Sequence, residues 1–383
     1  VWVPVYLSAA RILGVGERLQ DCYPNMSSQV LDCPYSGVCG GCSWAGRPLD
    51  QQNQTKLDEV RALFPKARLV YAPEARVRDK VDLVWEDGRL GLYKSSAREI
   101  MDLESCVMMS RPLEDFFKEY RSRRPPIKKG SVRLRISPTG AKGVWLDFAN
   151  QDVKTLFDER EYLHWLSSIA FVEIGQRRKH LVWKEGEPKL VDPELRPWFE
   201  TYGSDGTAIP LYGPVGGFSQ SGFAANRALV GAVTGLVKES GMRDWVELFC
   251  GNGNFTLALA SLGLNVEAVE MDELALAGLQ KSEPAANVKV SRADVYLKSK
   301  TLPSLEGRGL LVDPPRAGLR EVLSVLEEGN LPAAILYVSC FTESFLNDVA
   351  RLEKLGYLRD ELLSVNQFPH SPHSEWVTLL TRG

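Results

Sequence analysis

Two residues in the last fifty of this chain could act together on an electron-poor carbon. Cys340 ends the apolar run Leu336-Tyr337-Val338-Ser339, which has the composition of a buried strand. Glu375 lies in Phe368-Pro369-His370-Ser371-Pro372-His373-Ser374-Glu375-Trp376, just ahead of a second apolar run, Val377–Leu380. A thiolate that adds at carbon 6 of a pyrimidine makes carbon 5 nucleophilic. A carboxylate can then remove the carbon-5 proton so that the thiol is eliminated. Taken singly, neither residue demands this chemistry. A lone cysteine is usually a small buried hydrophobe, and a lone glutamate is usually a surface acid.

Their neighbours in sequence strengthen the reading. Glu247-Leu248-Phe249-Cys250-Gly251-Asn252-Gly253-Asn254 has the form acid-x-x-x-Gly-x-Gly between a strand and a helix. Glycines there let the backbone approach a ligand, and the helix start offers free N–H groups. Glu270 ends the next strand, where a carboxylate can accept two ribose hydroxyls. Asp294 ends a third strand and can hold an adenine amino group. Three acids at successive strand ends favour S-adenosylmethionine over NAD. Asp313-Pro314-Pro315-Arg316 follows another apolar run, and its two prolines make a rigid loop able to shape a flat pocket. Asp313 is placed to orient cofactor or substrate.

A second chemical cluster lies near the N-terminus. Cys33, Cys39 and Cys42 fall within ten residues that also hold Gly37, Gly40 and Gly41, and Cys106 is available as a fourth thiol. Zinc and an iron–sulfur cluster both fit four thiolates. Disulfides are not expected in a cytoplasmic enzyme. Of the other two cysteines, Cys250 reads as packing and Cys22 as incidental.

These residues need elements to carry them. From about Gly217 onward, helices and strands alternate: 224–237, 245–249, 255–262, 266–270, 273–281, 288–290, 309–313, 320–327, 334–339 and 342–355, then a strand pair. Such a rhythm implies an α/β fold with a mostly parallel sheet. Residues 73–215 mix short strands with a few helices and read as a central α+β domain. The segment 49–64 has helical periodicity. The chain of 383 residues is long enough for two or three domains.

With 44% hydrophobic and 25% charged residues, the composition is that of an ordinary globular protein, and no apolar run is long enough to span a bilayer. Val1–Leu7 lacks the charged start of an export signal, so a cytoplasmic protein is expected, acting as a monomer without a membrane partner. The net charge of −3 gives no general argument for nucleic acid. Residues 1–200, however, carry 31 Lys and Arg against 28 Asp and Glu, and residues 201–383 carry 15 against 21. The densest basic runs are Arg121 to Arg135 and Arg177-Arg178-Lys179-His180. Such runs can track phosphates, but each alone reads better as a solvated face.

Together these strings resemble the RNA 5-methyluridine methyltransferase family. They are Gly217-Phe218-Ser219-Gln220 with Asn226, Glu247 to Phe255, Val312-Asp313-Pro314-Pro315-Arg316 with Gly318, Ser339-Cys340, and Phe368-Pro369-His370 with His373 and Glu375. The resemblance runs in order from residue 217 to the end. It implies a Rossmann-like catalytic domain over 216–383, with Cys340 as nucleophile and Glu375 as base. It places Gln220, Phe249, Asn254, Glu270, Asp294 and Asp313 around S-adenosylmethionine. The Cys33-to-Cys42 string is similar to the iron–sulfur members, which implies a [4Fe–4S] cluster on Cys33, Cys39, Cys42 and Cys106. Those members resemble ribosomal-RNA enzymes, so 23S ribosomal RNA is the favoured partner and transfer RNA the alternative.

The resemblance also implies that residues 44–72 pack on the catalytic domain. It leaves 1–43 as a truncated barrel remnant plus the cysteine cluster. Three departures stand out. Ser221-Gly222 intervene where the family has Asn two residues after Gln, Ser371 replaces a Thr, and Ser374 stands where an apolar residue is common. A non-catalytic RNA-binding or redox-sensing protein and an NAD dehydrogenase are the competing readings. The second leaves Cys340 and the Asp-Pro-Pro-Arg string unexplained.

Overall fold

The computed structural model describes residues 30–148, 150–175, 179–297 and 302–382. The barrel remnant expected at the start of the chain falls largely on residues outside these ranges, and Cys22, Arg177 and Arg178 lie outside them as well.

The first described helix, α1 (Leu49–Arg61), leads into a short strand, β1 (Arg68–Tyr71). A central module follows. It comprises β2 (Lys80–Glu86), β3 (Arg89–Tyr93), β4 (Ile100–Asp102), α2 (Arg111–Arg121), β5 (Lys129–Ile136), β6 (Lys142–Asp147), α3 (Asn150–Asp158), α4 (Arg160–Ile169), β7 (Phe171–Ile174), β8 (Lys179–Lys184) and β9 (Glu187–Val191). Its sheet runs β4-β3-β2-β5-β6-β7-β8-β9, antiparallel except where β6 meets β7 across the α3–α4 crossover. The module is therefore more sheet than helix. On α2, Leu113, Phe116, Phe117 and Tyr120 recur at helical spacing and are fully buried over Val132, Leu134, Val144 and Leu146. Each such side chain contributes about 1.5–3 kcal/mol of burial.

The remaining elements are β10 (Arg196–Tyr202), β11 (Ala208–Gly213), α5 (Phe223–Ser240), β12 (Asp244–Leu248), α6 (Asn254–Ser261), β13 (Asn265–Glu270), α7 (Glu273–Lys281), β14 (Val288–Arg292), β15 (Gly309–Val312), α8 (Glu321–Glu327), β16 (Ala334–Ser339), α9 (Thr342–Lys354), β17 (Tyr357–Val365) and β18 (Glu375–Arg382). Their sheet runs β1-β17-β18-β16-β15-β12-β13-β14. Strands β12 to β16 are mutually parallel, and β18 is antiparallel between β16 and β17. Every residue of β15 and β16 is buried, as expected for parallel strands covered on both faces. The chain order reverses between β12 and β15, and ligands of such sheets bind at that switch point, beyond the strands' carboxyl ends.

One border differs from the expected one. The β10–β11 ribbon, which falls in the stretch read as central domain, belongs to the catalytic side. Its Phe199 and Leu211 share a core with Cys250, Leu257, Leu276 and Leu279. Pro197 and Pro210 break the alternation that would have marked these strands. Strand β1 extends the catalytic sheet by pairing parallel with β17. Beside it, Leu57, Val60, Phe64 and Ala67 pack into the catalytic core, and the Phe64 ring stacks 5.7 Å from that of Phe345. Among the described residues no helix is long and apolar enough to cross a membrane.

Candidate active site

Sheet register brings the thiol and the carboxylate together. Ser339 on β16 pairs with Trp376 on antiparallel β18. The residues one step beyond, Cys340 and Glu375, therefore meet at the carboxyl edge of the parallel strands. Asp313, just past the end of neighbouring β15, joins them. All three line one cavity of about 990 Å³ with Phe249, Gly251, Glu270, Asp294, Arg316 and Gln220.

The electrostatics are those of carboxylates gathered out of water. Burial raises Asp313 and Glu375 well above the usual carboxylate range, and repulsion from Asp313 adds to the rise at Glu375. Against this, Gln367 Nε2 donates to Glu375 Oε2 at 2.5 Å and favours the ionised form. Burial pushes the Cys340 thiol up to about 11; Glu375 and Asp313 add to this, and Arg316 pulls it back. Behind the glycine turn, Glu247 is buried and raised to about 8, held by a 2.6 Å hydrogen bond from Thr256 Oγ1.

The glycine turn is built for close approach. Phe249 and Gly251 take φ of +63° and +55°, and Gly253 takes +92°. A side chain on Gly253 would also strike Leu279 Cδ1 at 2.4 Å. Glu270 braces the turn: its carboxylate accepts from Gly251 N at 3.0 Å, Met271 N at 2.7 Å and Asp272 N at 2.8 Å. These bonds fix its position and leave one lone pair, on Oε2, for a hydroxyl. Asp294 accepts from Tyr296 N at 3.0 Å, and the Tyr296 ring lies 5.3 Å from that of Phe249. The residues at this end fit a nucleoside with an electrophilic tail.

Two regions outside the catalytic domain grip the site. From the central sheet, Lys80 donates to Ser219 O. Arg133 Nη1 donates to Gly216 O at 2.6 Å, and Arg135 Nη1 to Val215 O at 3.0 Å. These cations thus hold the loop that presents Phe218 and Gln220. From the other side, α1 carries buried Gln52, Asn53 and Lys56 against the segment leading to Glu375. Lys56 Nζ donates to Asn366 Oδ1 at 2.8 Å and Phe368 O at 3.1 Å, and burial lowers it to about 7. Gln52 Oε1 accepts from His370 N at 2.8 Å. Removing one partner of such a buried pair leaves the other unpaired, at about 1–3 kcal/mol.

The four thiols of Cys33, Cys39, Cys42 and Cys106 face one small pocket walled by Leu92, Leu103, Met108 and Arg78. Burial raises Cys39, and raises Cys42 to about 11, with the neighbouring thiols adding to both. Among the described residues no three His, Cys, Asp or Glu side chains gather tightly enough for a single metal ion. The chain just after the cysteine loop meets the segment leading to Glu375, where Trp44 N donates to His370 O at 2.9 Å.

The family described as tRNA (uracil-5-)-methyltransferase matches residues 212–271 and 261–383. An uncharacterized RNA methyltransferase of Bdellovibrio bacteriovorus is 38% identical over 373 residues, covering 92% of this chain and 96% of the relative. The chain belongs to the RNA uracil-5-methyltransferase family. A 23S rRNA (uracil(1939)-C(5))-methyltransferase of Shewanella amazonensis is 28% identical to this methyltransferase over 393 residues, covering 95% of the chain and 84% of the relative. The tRNA (uracil-54, C5)-methyltransferase of Pyrococcus abyssi, solved with S-adenosyl-L-homocysteine, shares its fold. The TM-score is 0.63 at 20% identity, over 89% of this chain and 86% of that one.

In the methyltransferase, Cys340, Glu375, Gln220, Phe249, Glu270, Asp294 and Asp313 all reach one cavity. Asn254 does not line it. Its side chain pairs reciprocally with that of Asn226, at 2.8 and 2.9 Å, and ties α6 to α5 behind the wall. The departures from the family strings also find places. Ser371 Oγ donates to Phe368 O at 2.9 Å, whereas the buried Ser374 hydroxyl has no partner among the described residues. Gln367 and Lys80 escaped the sequence reading, and Arg135 entered it only as part of a basic run. Gln367 adjoins Phe368-Pro369 and could have been found there, whereas Lys80 carries no local signal. Within the basic run from Arg121, Arg121 pairs with Asp102 at 2.8 Å, Lys129 with Glu86 at 2.7 Å and Arg133 with Asp82 at 2.6 Å.

Proposed function

We propose that this enzyme methylates carbon 5 of a uridine in structured RNA, with 23S ribosomal RNA favoured and transfer RNA the alternative. The observation that carries it is the convergence of Cys340 and Glu375 across the β16–β18 register, beside Asp313, in one large cavity. The ribosomal preference rests on the 23S rRNA relative, which spans 95% of the chain, and on the four-thiol pocket.

S-Adenosylmethionine, bound against the glycine turn, Glu270 and Asp294, supplies an electrophilic methyl group. The Cys340 thiolate bonds to uracil carbon 6, and the π pair of the ring moves toward the carbon-4 oxygen. Carbon 5 then carries the nucleophilic pair. After transfer, Glu375 takes the proton from carbon 5, the sulfur–carbon bond breaks and the double bond returns. To reach Cys340 the uridine must leave its stack, at a cost of a few kcal/mol. Cys33, Cys39, Cys42 and Cys106 would hold an iron–sulfur cluster. The reading of a cluster rather than zinc is supported by the Cys33-to-Cys42 string and by its three thiols lining one pocket with that of Cys106. The cluster would tie the 33–42 loop to residue 106 as a structural crosslink.

Incubation with labelled S-adenosylmethionine and unmodified transcripts of 23S rRNA and tRNA tests the reading. The 23S transcript is expected to gain 5-methyluridine at a mappable site. Label in tRNA alone would replace the favoured substrate with the alternative, and label in neither would remove the activity.

A further inference from the structure

Gln367 holds the site together through one amide group whose orientation is dictated. Its Oε1 accepts from Ser221 N at 3.4 Å and Ser221 Oγ at 3.0 Å. A backbone N–H can only donate, so the oxygen must face Ser221. The two Nε2 protons then go elsewhere, one to Glu375 Oε2 at 2.5 Å and one to Gln220 Oε1 at 2.9 Å. That second bond fixes Gln220 in turn. Its oxygen faces Gln367, and its own NH₂, with no partner among the described residues, is left to the cavity that Gln220 lines.

We propose that Gln367 is a positioning and specificity-determining residue, which turns Gln220 to offer an N–H donor to the carbon-4 oxygen of uracil. The proposal rests on the uridine-methylation reading above. One amide contacts both Gln220 and the carboxylate that takes the carbon-5 proton, so the Gln220 donor sits beside carbon 5. The ring oxygen attached next to carbon 5 is the one on carbon 4. A donor there accepts the electron density displaced by thiolate addition. It also meets the amino group of cytosine with the wrong polarity. Gln367 further steadies the ionised form of Glu375, the form that can accept a proton.

Two substitutions of similar size separate these roles. Gln367→Met removes both donated bonds. Gln367→Glu keeps an acceptor for Ser221 but forces the Gln220 amide to reverse, exposing its oxygen to the base. Methylation of the mapped uridine transcript is measured while the same transcript bearing cytidine there competes. For both variants kcat should fall by about tenfold or more. Gln367→Glu should narrow the preference for uridine over cytidine by at least about tenfold.

An RNA-independent readout follows the carboxyl stretch of Glu375 by infrared spectroscopy, assigned by its loss in Glu375→Gln. Its ionisation midpoint should rise in both variants. Unchanged discrimination together with an unchanged midpoint, in variants that melt like the wild type, would overturn the proposal. If the wild type methylates no transcript, the functional reading fails by itself. The infrared midpoint, which needs no RNA, still decides whether Gln367 controls Glu375.

Discussion

Cys42 and Cys340 are two thiols that burial raises to the same value, about 11, in two unlike settings. Around Cys42 stand three more thiols, apolar side chains and Arg78. Around Cys340 stand two carboxyl groups, Arg316 and an opening 990 Å³ in volume. Thiol acidity alone therefore does not sort a metal ligand from a nucleophile. The surrounding groups do. Thiols beside thiols can share a soft cation that deprotonates them. A thiol beside a carboxylate, with room for a flat ring, can add to a double bond and have the addition reversed.

The sharpest break in this comparison is Cys340→Ala. Methyl transfer should drop by at least about a thousandfold, while the melting temperature and the iron content stay as in the wild type. Cys42→Ala should do the opposite. Anaerobically purified wild type should carry about four irons per chain; the variant should lose them and melt several degrees lower. Its activity should fall less than about tenfold, because none of the four thiols lines the cavity that holds Cys340 and Glu375. Loss of activity in both variants with no change in iron would erase the distinction.

A smaller effect tests the charges around Cys340. Removing the Arg316 cation in Arg316→Gln raises the thiol further, since that cation favours the thiolate. The sign is definite. The rate rises with pH as the thiol ionises, and the variant's profile should lie to the alkaline side of the wild type's. At pH 8 the variant should be about three- to tenfold slower, with the deficit shrinking as pH increases. A parallel loss at every pH would assign Arg316 to binding alone.

Much of the catalytic half was legible because its strands are buried on both faces and alternate with helices. The runs ending at Phe249, Glu270, Asp313 and Cys340 mark strand ends in sequence, and the switch point gathers strand ends in space. The meeting of Cys340 with Glu375 was less legible, since it depends on the antiparallel insertion of β18 beside β16. No local pattern encodes that register. Lys80, Gln52 and Lys56 were invisible for a related reason. They lie far from the site in sequence and arrive through tertiary packing. Asn254 is the converse case, a motif residue whose side chain pairs with Asn226 and does not line the cavity. The basic run from Arg121 was read as a solvated face, and Arg121, Lys129 and Arg133 there pair with Asp102, Glu86 and Asp82.

The central claim is that Cys340 bonds to the base and Glu375 releases it. The most direct measurement is mass spectrometry of Glu375→Gln after incubation with S-adenosylmethionine and the substrate transcript. An amide cannot take the carbon-5 proton, so methylated RNA should remain joined to the peptide containing Cys340 after denaturation. Free 5-methyluridine produced at the wild-type rate, with no adduct on that peptide, would contradict the account.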